Sequence, residues 1–334
     1  MTENGDAETQ TASDLQLVPE ALPNSKFKLE FVFGPHTTAQ EADIIAEPLK
    51  ECDIYIPEMI GWDSAVLEGL NSVAQGTLTA EEAVKKYGNR IYDGFFKQLL
   101  DHLHNSRKKV AFIDVPADHD LDIRIRSKKI PNRQASFEED VNAQLKYLQR
   151  EEKTEEERED YMADQLPAVL SQLVEGNPEL KNKEHVRVLI LLGAAHTGVL
   201  HRLKKRGYDV DKSVFPSSTY RFGFYGNEVQ RRLAFSKPLD MLLVARSLME
   251  RYMGKALAKQ HIATYCYLPS DTTKAASLLK RLIDPLSYDE LKAIWEEGGN
   301  FFGILPPFED RLKEKGMALP RSEKELDDFL ASPV

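Results

Sequence analysis

Cysteine is nearly absent from this 334-residue chain: Cys52 and Cys266 are the only two, and they lie far apart. That excludes a disulfide framework and fits a reducing compartment. Cys52, just ahead of a strand-like run, reads as a small buried apolar residue. Long hydrophobic runs are missing too. Val188 to Leu192 is typical of the longest, whereas a membrane helix needs about 20 apolar residues. The opening Met1-Thr-Glu-Asn-Gly-Asp6 has no basic and no apolar region of a secretory signal, so a cytoplasmic location is expected. Positive charge is in deficit, with 44 basic against 54 acidic residues and a net charge of −10. That disfavours a nucleic-acid partner. No nucleophile elbow, His-Glu-x-x-His or phosphate loop occurs, which removes the most easily recognised hydrolase and nucleotide-binding motifs.

What is present is an alternation of apolar runs and helical stripes, the pattern of an α/β fold with a mainly parallel sheet flanked by helices. Residues 1–25 are polar and acidic and read as a mobile tail. Residues 26–334 read as a single α/β domain, with core motifs over 27–206 and a helical C-terminal part over 225–334. Strands are expected at 27–33, 53–57, 109–114 and 186–192, with a short one at 208–214. Pro57 should fall at its strand's last residue, because proline lacks a ladder donor. Thr79-Ala-Glu-Glu82 is a capping box. Residues 117–135 read as irregular, 137–175 as one helix, and Phe222-Gly-Phe-Tyr-Gly226 as an aromatic loop. Leu239 to Ala258 is an apolar helix, read as core covering the sheet or as an oligomer interface.

Each of the first four strands ends near a residue of catalytic type: His36 after Gly34-Pro35, Glu58, Asp114, and His196 after Gly193-Ala-Ala. In a parallel sheet all four reach the carboxyl rim, where ligands bind. Taken singly, each has a structural explanation: a turn histidine, a helix cap, a strand-end acid. Together they offer two chemistries. Histidines with carboxylates suit a divalent metal. They equally suit a metal-free site in which a carboxylate holds a histidine that activates water. A third reading treats Gly193-Ala-Ala-His-Thr-Gly198 as a phosphate-binding turn, but Ala195 stands where close approach to a pyrophosphate needs glycine. The charged run Arg150 to Asp160 is ordinarily a solvated helix face.

With these residues in hand, the chain resembles the TraB/Tiki group of the erythromycin esterase/ChaN-like superfamily. Gly193-Ala-Ala-His196 is similar to the second of its two Gly-x-x-His motifs, and Glu58 to the glutamate between them. Ile113-Asp114-Val-Pro116 resembles an aspartate-bearing strand end. Arg158-Glu-Asp-Tyr-Met162-Ala resembles the helix segment that supplies an arginine. The first motif departs: Gly34-Pro35-His36 has one residue, not two, between Gly and His.

The resemblance implies a hydrolase of peptide or ester bonds. Tiki-like members are metal-dependent proteases, and erythromycin esterases act without a metal. His36, Glu58 and His196 would hold a divalent metal (manganese, zinc or cobalt) or position the attacking water. Glu58 or Asp114 would be general base, and Arg158 would stabilise the oxyanion. The substrate would be a small molecule or a peptide. The competing expectation, from ChaN-like relatives, is a non-catalytic protein binding haem or an anionic metabolite through His36 or His196.

Overall fold

A computed structural model describes residues 23–34, 39–87, 93–193, 196–214, 224–259, 272–300 and 303–332. His36, Cys266 and residues 1–22 of the expected tail lie outside them. Asn24–Lys26 form a 3-10 turn, and Asn24 donates to the Arg206 carbonyl at 2.6 Å. Asn24 and Ser25, which the sequence reading assigns to the tail, lie in this turn.

In chain order the sheet side comprises β1 (Phe27–Gly34), α1 (Ala39–Glu51), β2 (Ile54–Pro57), α2 (Ser64–Ala74), α3 (Ala80–Tyr87), α4 (Asp93–Leu103) and β3 (Lys109–Val110). It continues through α5 (Asp120–Arg126), α6 (Phe137–Glu175), α7 (Pro178–Lys181), β4 (Val186–Gly193), α8 (Thr197–Lys205) and β5 (Asp209–Val214). The helical remainder is α9 (Tyr225–Ala234), α10 (Met241–Lys259), α11 (Thr272–Ile283), α12 (Tyr288–Gly298), α13 (Leu305–Glu314) and α14 (Glu323–Ala331). None of the described helices is long and apolar enough to cross a membrane.

The five strands among the described residues are all parallel, in the order β3-β2-β4-β1-β5. Strand alternation sorts their side chains to two faces. Val32, Tyr55, Val110, Leu189 and Leu191 meet α1 to α4. Phe31, Phe33, Ile54, Ile56, Ile190 and Leu192 meet α6 and α8. Cys52 is buried on the first face, and burial pushes its thiol up to about 12. The Thr79–Glu82 capping box forms at the head of α3.

β3 is shorter than expected, pairing only over Lys109–Val110. The reason lies in its neighbour. The Tyr55 carbonyl accepts from Ala111 on the β3 side, while Glu58, an even residue just past the strand, donates to Leu191 on the β4 side. Odd residues of β2 thus face β3, and Pro57 has no N–H to extend that ladder. Two other expectations are corrected. Residues 120–126 form α5, capped by the His119 ring, which accepts from Leu121 N–H at 3.2 Å. Tyr225 and Gly226 of the expected aromatic loop belong to α9, and Phe222 and Gly223 lie outside the described residues.

α6 ends where the sequence places it and organises both halves of the molecule. Its 39 residues span about 58 Å at 1.5 Å per residue. Met162, Ala163, Leu166, Leu170 and Val174 pack on the sheet. Phe137, Val141 and Leu148 enter a second core made of helices alone, with α9 to α14. Pro167 lies inside α6 and cannot donate to the carbonyl four residues back, that of Ala163. Arg206 Nη1 supplies the missing donor at 2.6 Å. The α10 face of Val244, Leu248, Met249 and Met253 is fully buried in the helical core. It is a core helix, as expected, but it covers other helices and not the sheet.

Candidate functional site

The strand order puts β3, β2 and β4 side by side, so the residues that follow them share one rim. Asp114, Glu58 and His196 are brought together there, and α6 lays Arg158 across all three. Arg158 Nε and Nη2 donate to the two Asp114 carboxylate oxygens at 2.9 and 2.6 Å. Nη2 also donates to Glu58 Oε1 at 3.0 Å. Nη1 lies 3.0 Å from His196 Nε2 and 3.4 Å from Glu155 Oε2. His196 Nε2 is in turn 3.2 Å from Glu58 Oε1.

Burial is what gives these contacts weight. Arg158 is 5% exposed, Asp114 2% and His196 4%. The expectation that the charged run is wholly a solvated face fails at Arg158 and at Glu159, also buried. Burial opposes the guanidinium charge, but Asp114, Glu58 and Glu155 outweigh it, so the Arg158 pKa rises further. Burial likewise opposes a charged His196. The Glu58 carboxylate and, more weakly, Glu155 prevail over burial and over Arg158, and the ring's pKa lies above its ordinary 6.5.

The backbone shapes the rim as well. Glu58 Oε2 accepts the Gly193 N–H, and a Cβ at Gly193 would stand 3.1 Å from that oxygen. Asp114 accepts the N–H groups of Met59 and Val115 at 3.2 and 2.8 Å. It caps no helix. His196 occupies the cap position of α8 without a side-chain cap bond, because its ring is turned to Glu58 and Arg158.

The anion-binding capacity of the α8 N-terminus is used internally. Glu159 accepts the Gly198 N–H at 3.0 Å and pairs with Arg202 at 2.8 Å. A Cβ at Gly198 would lie 1.9 Å from Glu159 Oε2. A protein carboxylate thus sits where the phosphate-turn reading places a phosphate.

Among the described residues no group of three His, Cys, Asp or Glu is placed to hold a metal ion. The guanidinium instead sits directly against Glu58, Asp114 and His196. Glu58 and His196, the described members of the expected ligand set, are both engaged by Arg158, and His36 lies outside the described residues.

Two neighbours escaped the sequence reading. Glu155, one turn before Arg158 on α6, faces the site, with Oε2 3.8 Å from His196 Nδ1. Its i,i+3 spacing to Arg158 is the only signal it carries. Trp62 holds the Asp114 carbonyl through Nε1 at 2.7 Å. The remaining described histidines have other roles: His102 meets Asp43 at 2.8 Å, and His201 meets the Phe235 ring. Chemically, the arrangement can pass a proton between Glu58 and His196 while a fixed positive charge holds both in place.

No family model, curated protein or solved structure matches this chain.

Proposed function

We propose that the protein is a hydrolase of peptide or ester bonds that works by acid–base chemistry at Glu58 and His196 without a metal. One observation carries the reading: a buried histidine and a part-exposed glutamate stand 3.2 Å apart at the carboxyl rim of a parallel sheet. The resemblance of Gly193-Ala-Ala-His196, Glu58 and the Arg158 segment to the TraB/Tiki group supports it.

In this reading Glu58 takes a proton from water as the water oxygen attacks the carbonyl carbon. His196, whose raised pKa favours the imidazolium, gives its Nε2 proton to the departing amine or alkoxide. The Glu58 proton then passes to Nε2 and restores the starting state. Arg158 takes a different role from the expected oxyanion donor. Its five N–H groups are already directed at Asp114, Glu58, His196 and Glu155. It orients the pair, and Asp114 orients it. The substrate is a small molecule or a peptide, and the setting is the cytoplasm.

The test is a peptidase and esterase screen of the purified chain, with and without chelator, beside Glu58→Gln and His196→Ala. Activity lost in both variants and indifferent to chelation is the expected result. Activity lost on chelation would restore the metal form of the reading. A bound chromophore with a Soret band and no turnover would replace it by haem binding.

A further inference from the structure

The other ring nitrogen of His196 poses a separate question. Nδ1 is sealed from solvent and has no hydrogen-bond partner among the described residues. Nε2 faces Arg158 Nη1 at 3.0 Å, and a guanidinium only donates. Glu58 Oε1, 3.2 Å from the same nitrogen, would take an Nε2–H instead; in the neutral ring the shorter arginine contact calls for the lone pair on Nε2 and thus for a proton on Nδ1. A buried N–H needs an acceptor. Glu155 Oε2 stands 3.8 Å away, at the end of a side chain with three rotatable bonds. The same oxygen lies 3.4 Å from Arg158 Nη1. Closing on Nδ1 by about 1 Å would bring it to ordinary hydrogen-bond length while it keeps the arginine within reach.

We infer that Glu155 is a positioning residue: it accepts the Nδ1–H of His196 and so fixes the neutral tautomer that leaves Nε2 free to exchange the proton. It touches no reacting atom. Its catalytic meaning rests on the hydrolase reading, whereas the tautomer itself does not. A histidine whose second nitrogen is tied to a carboxylate keeps one ring orientation. Here the carboxylate comes from the same helix turn as the arginine, so α6 sets both ring nitrogens at once.

The experiment is nitrogen-15 spectroscopy of the ring nitrogens in the full chain with labelled histidine, above the histidine titration range. His196→Gln assigns the signals, and Glu155→Ala and Glu155→Gln are compared with wild type. Wild type should show the Nδ1–H tautomer. Glu155→Gln should retain it, because the amide oxygen still accepts. Glu155→Ala should move the balance toward Nε2–H by roughly tenfold, as expected for loss of a bond to a charged group. A wild-type ring in the Nε2–H form, or a Glu155→Ala ring identical to wild type, overturns the inference. If the tautomer responds as expected while the substrate screen finds no turnover, the hydrolase reading falls and the role of Glu155 stands.

Discussion

His196 Nε2 lies 3.0 Å from Arg158 Nη1, and the ring can meet that donor only while Nε2 is unprotonated. Once protonated, the same nitrogen can donate to Glu58 Oε1, 3.2 Å away. One proton thus decides which of two oppositely charged neighbours the ring holds.

This sets the pH dependence of stability. Burial, which disfavours the charged ring, is outweighed by the carboxylates of Glu58 and Glu155, so the folded-state pKa of His196 is raised. The folded protein binds this proton more tightly than the unfolded chain does. The stabilisation is therefore complete below the ordinary histidine value of 6.5 and is lost as pH rises through the raised one. Urea denaturation from mildly acidic to alkaline pH should show the fall, and His196→Gln should flatten it. An unchanged slope in the variant would count against the coupling.

Arg158→Met should cost more than an exposed ion pair does. The guanidinium answers Asp114 and Glu58, and removing it takes away the cation that the two carboxylates share. Breaking a buried pair from one side costs about 3–5 kcal/mol. Chemical denaturation measures it. Asp114→Asn in the same chain should recover part of the loss. A cost below about 1 kcal/mol would be that of a surface pair.

Glu250, on α10, offers a second titration far from the rim. Burial pushes its carboxyl up to about 8, although it receives the Gly226 N–H at the head of α9. Its contribution to stability is present below the ordinary carboxylate value and is lost as pH rises through about 8. Glu250→Gln should stabilise the protein at alkaline pH by on the order of a few kcal/mol, read as a higher denaturation midpoint. No gain above that pH would mean that the buried carboxylate is tolerated ionised.

Metal removal should leave the protein as it is. Elemental analysis of the purified chain is expected to find no stoichiometric manganese, zinc or cobalt, and dialysis against chelator should change neither melting temperature nor turnover. A melting temperature that falls on dialysis and recovers with one of these ions would show a ligand set that includes residues beyond Glu58 and His196.

Local patterns in the sequence determined the elements. A continuous Val, Ile and Leu run made β4 a strand, the Phe-rich run Phe27–Phe33 made β1 one, a capping box started α3, and the helical reading of 137–175 became α6. The same patterns placed Glu58, Asp114 and His196 at strand ends, because periodicity and breakers act within a few residues. The missed helix α5 is seven residues long, too short for a clear stripe. What only the tertiary structure decided is adjacency. The order β3-β2-β4-β1-β5 inserts β4 between β2 and β1, and that is why Glu58 and His196 meet. By charge pattern Arg158 is one residue of a long charged run, and only the resemblance of its segment to the TraB/Tiki helix singled it out. It is buried because the half of α6 that follows it packs on the sheet while the half that precedes it packs among the C-terminal helices. Pairings across 38 and 100 residues depend on which faces bury against which. Nothing within a few residues of Arg158 carries that information.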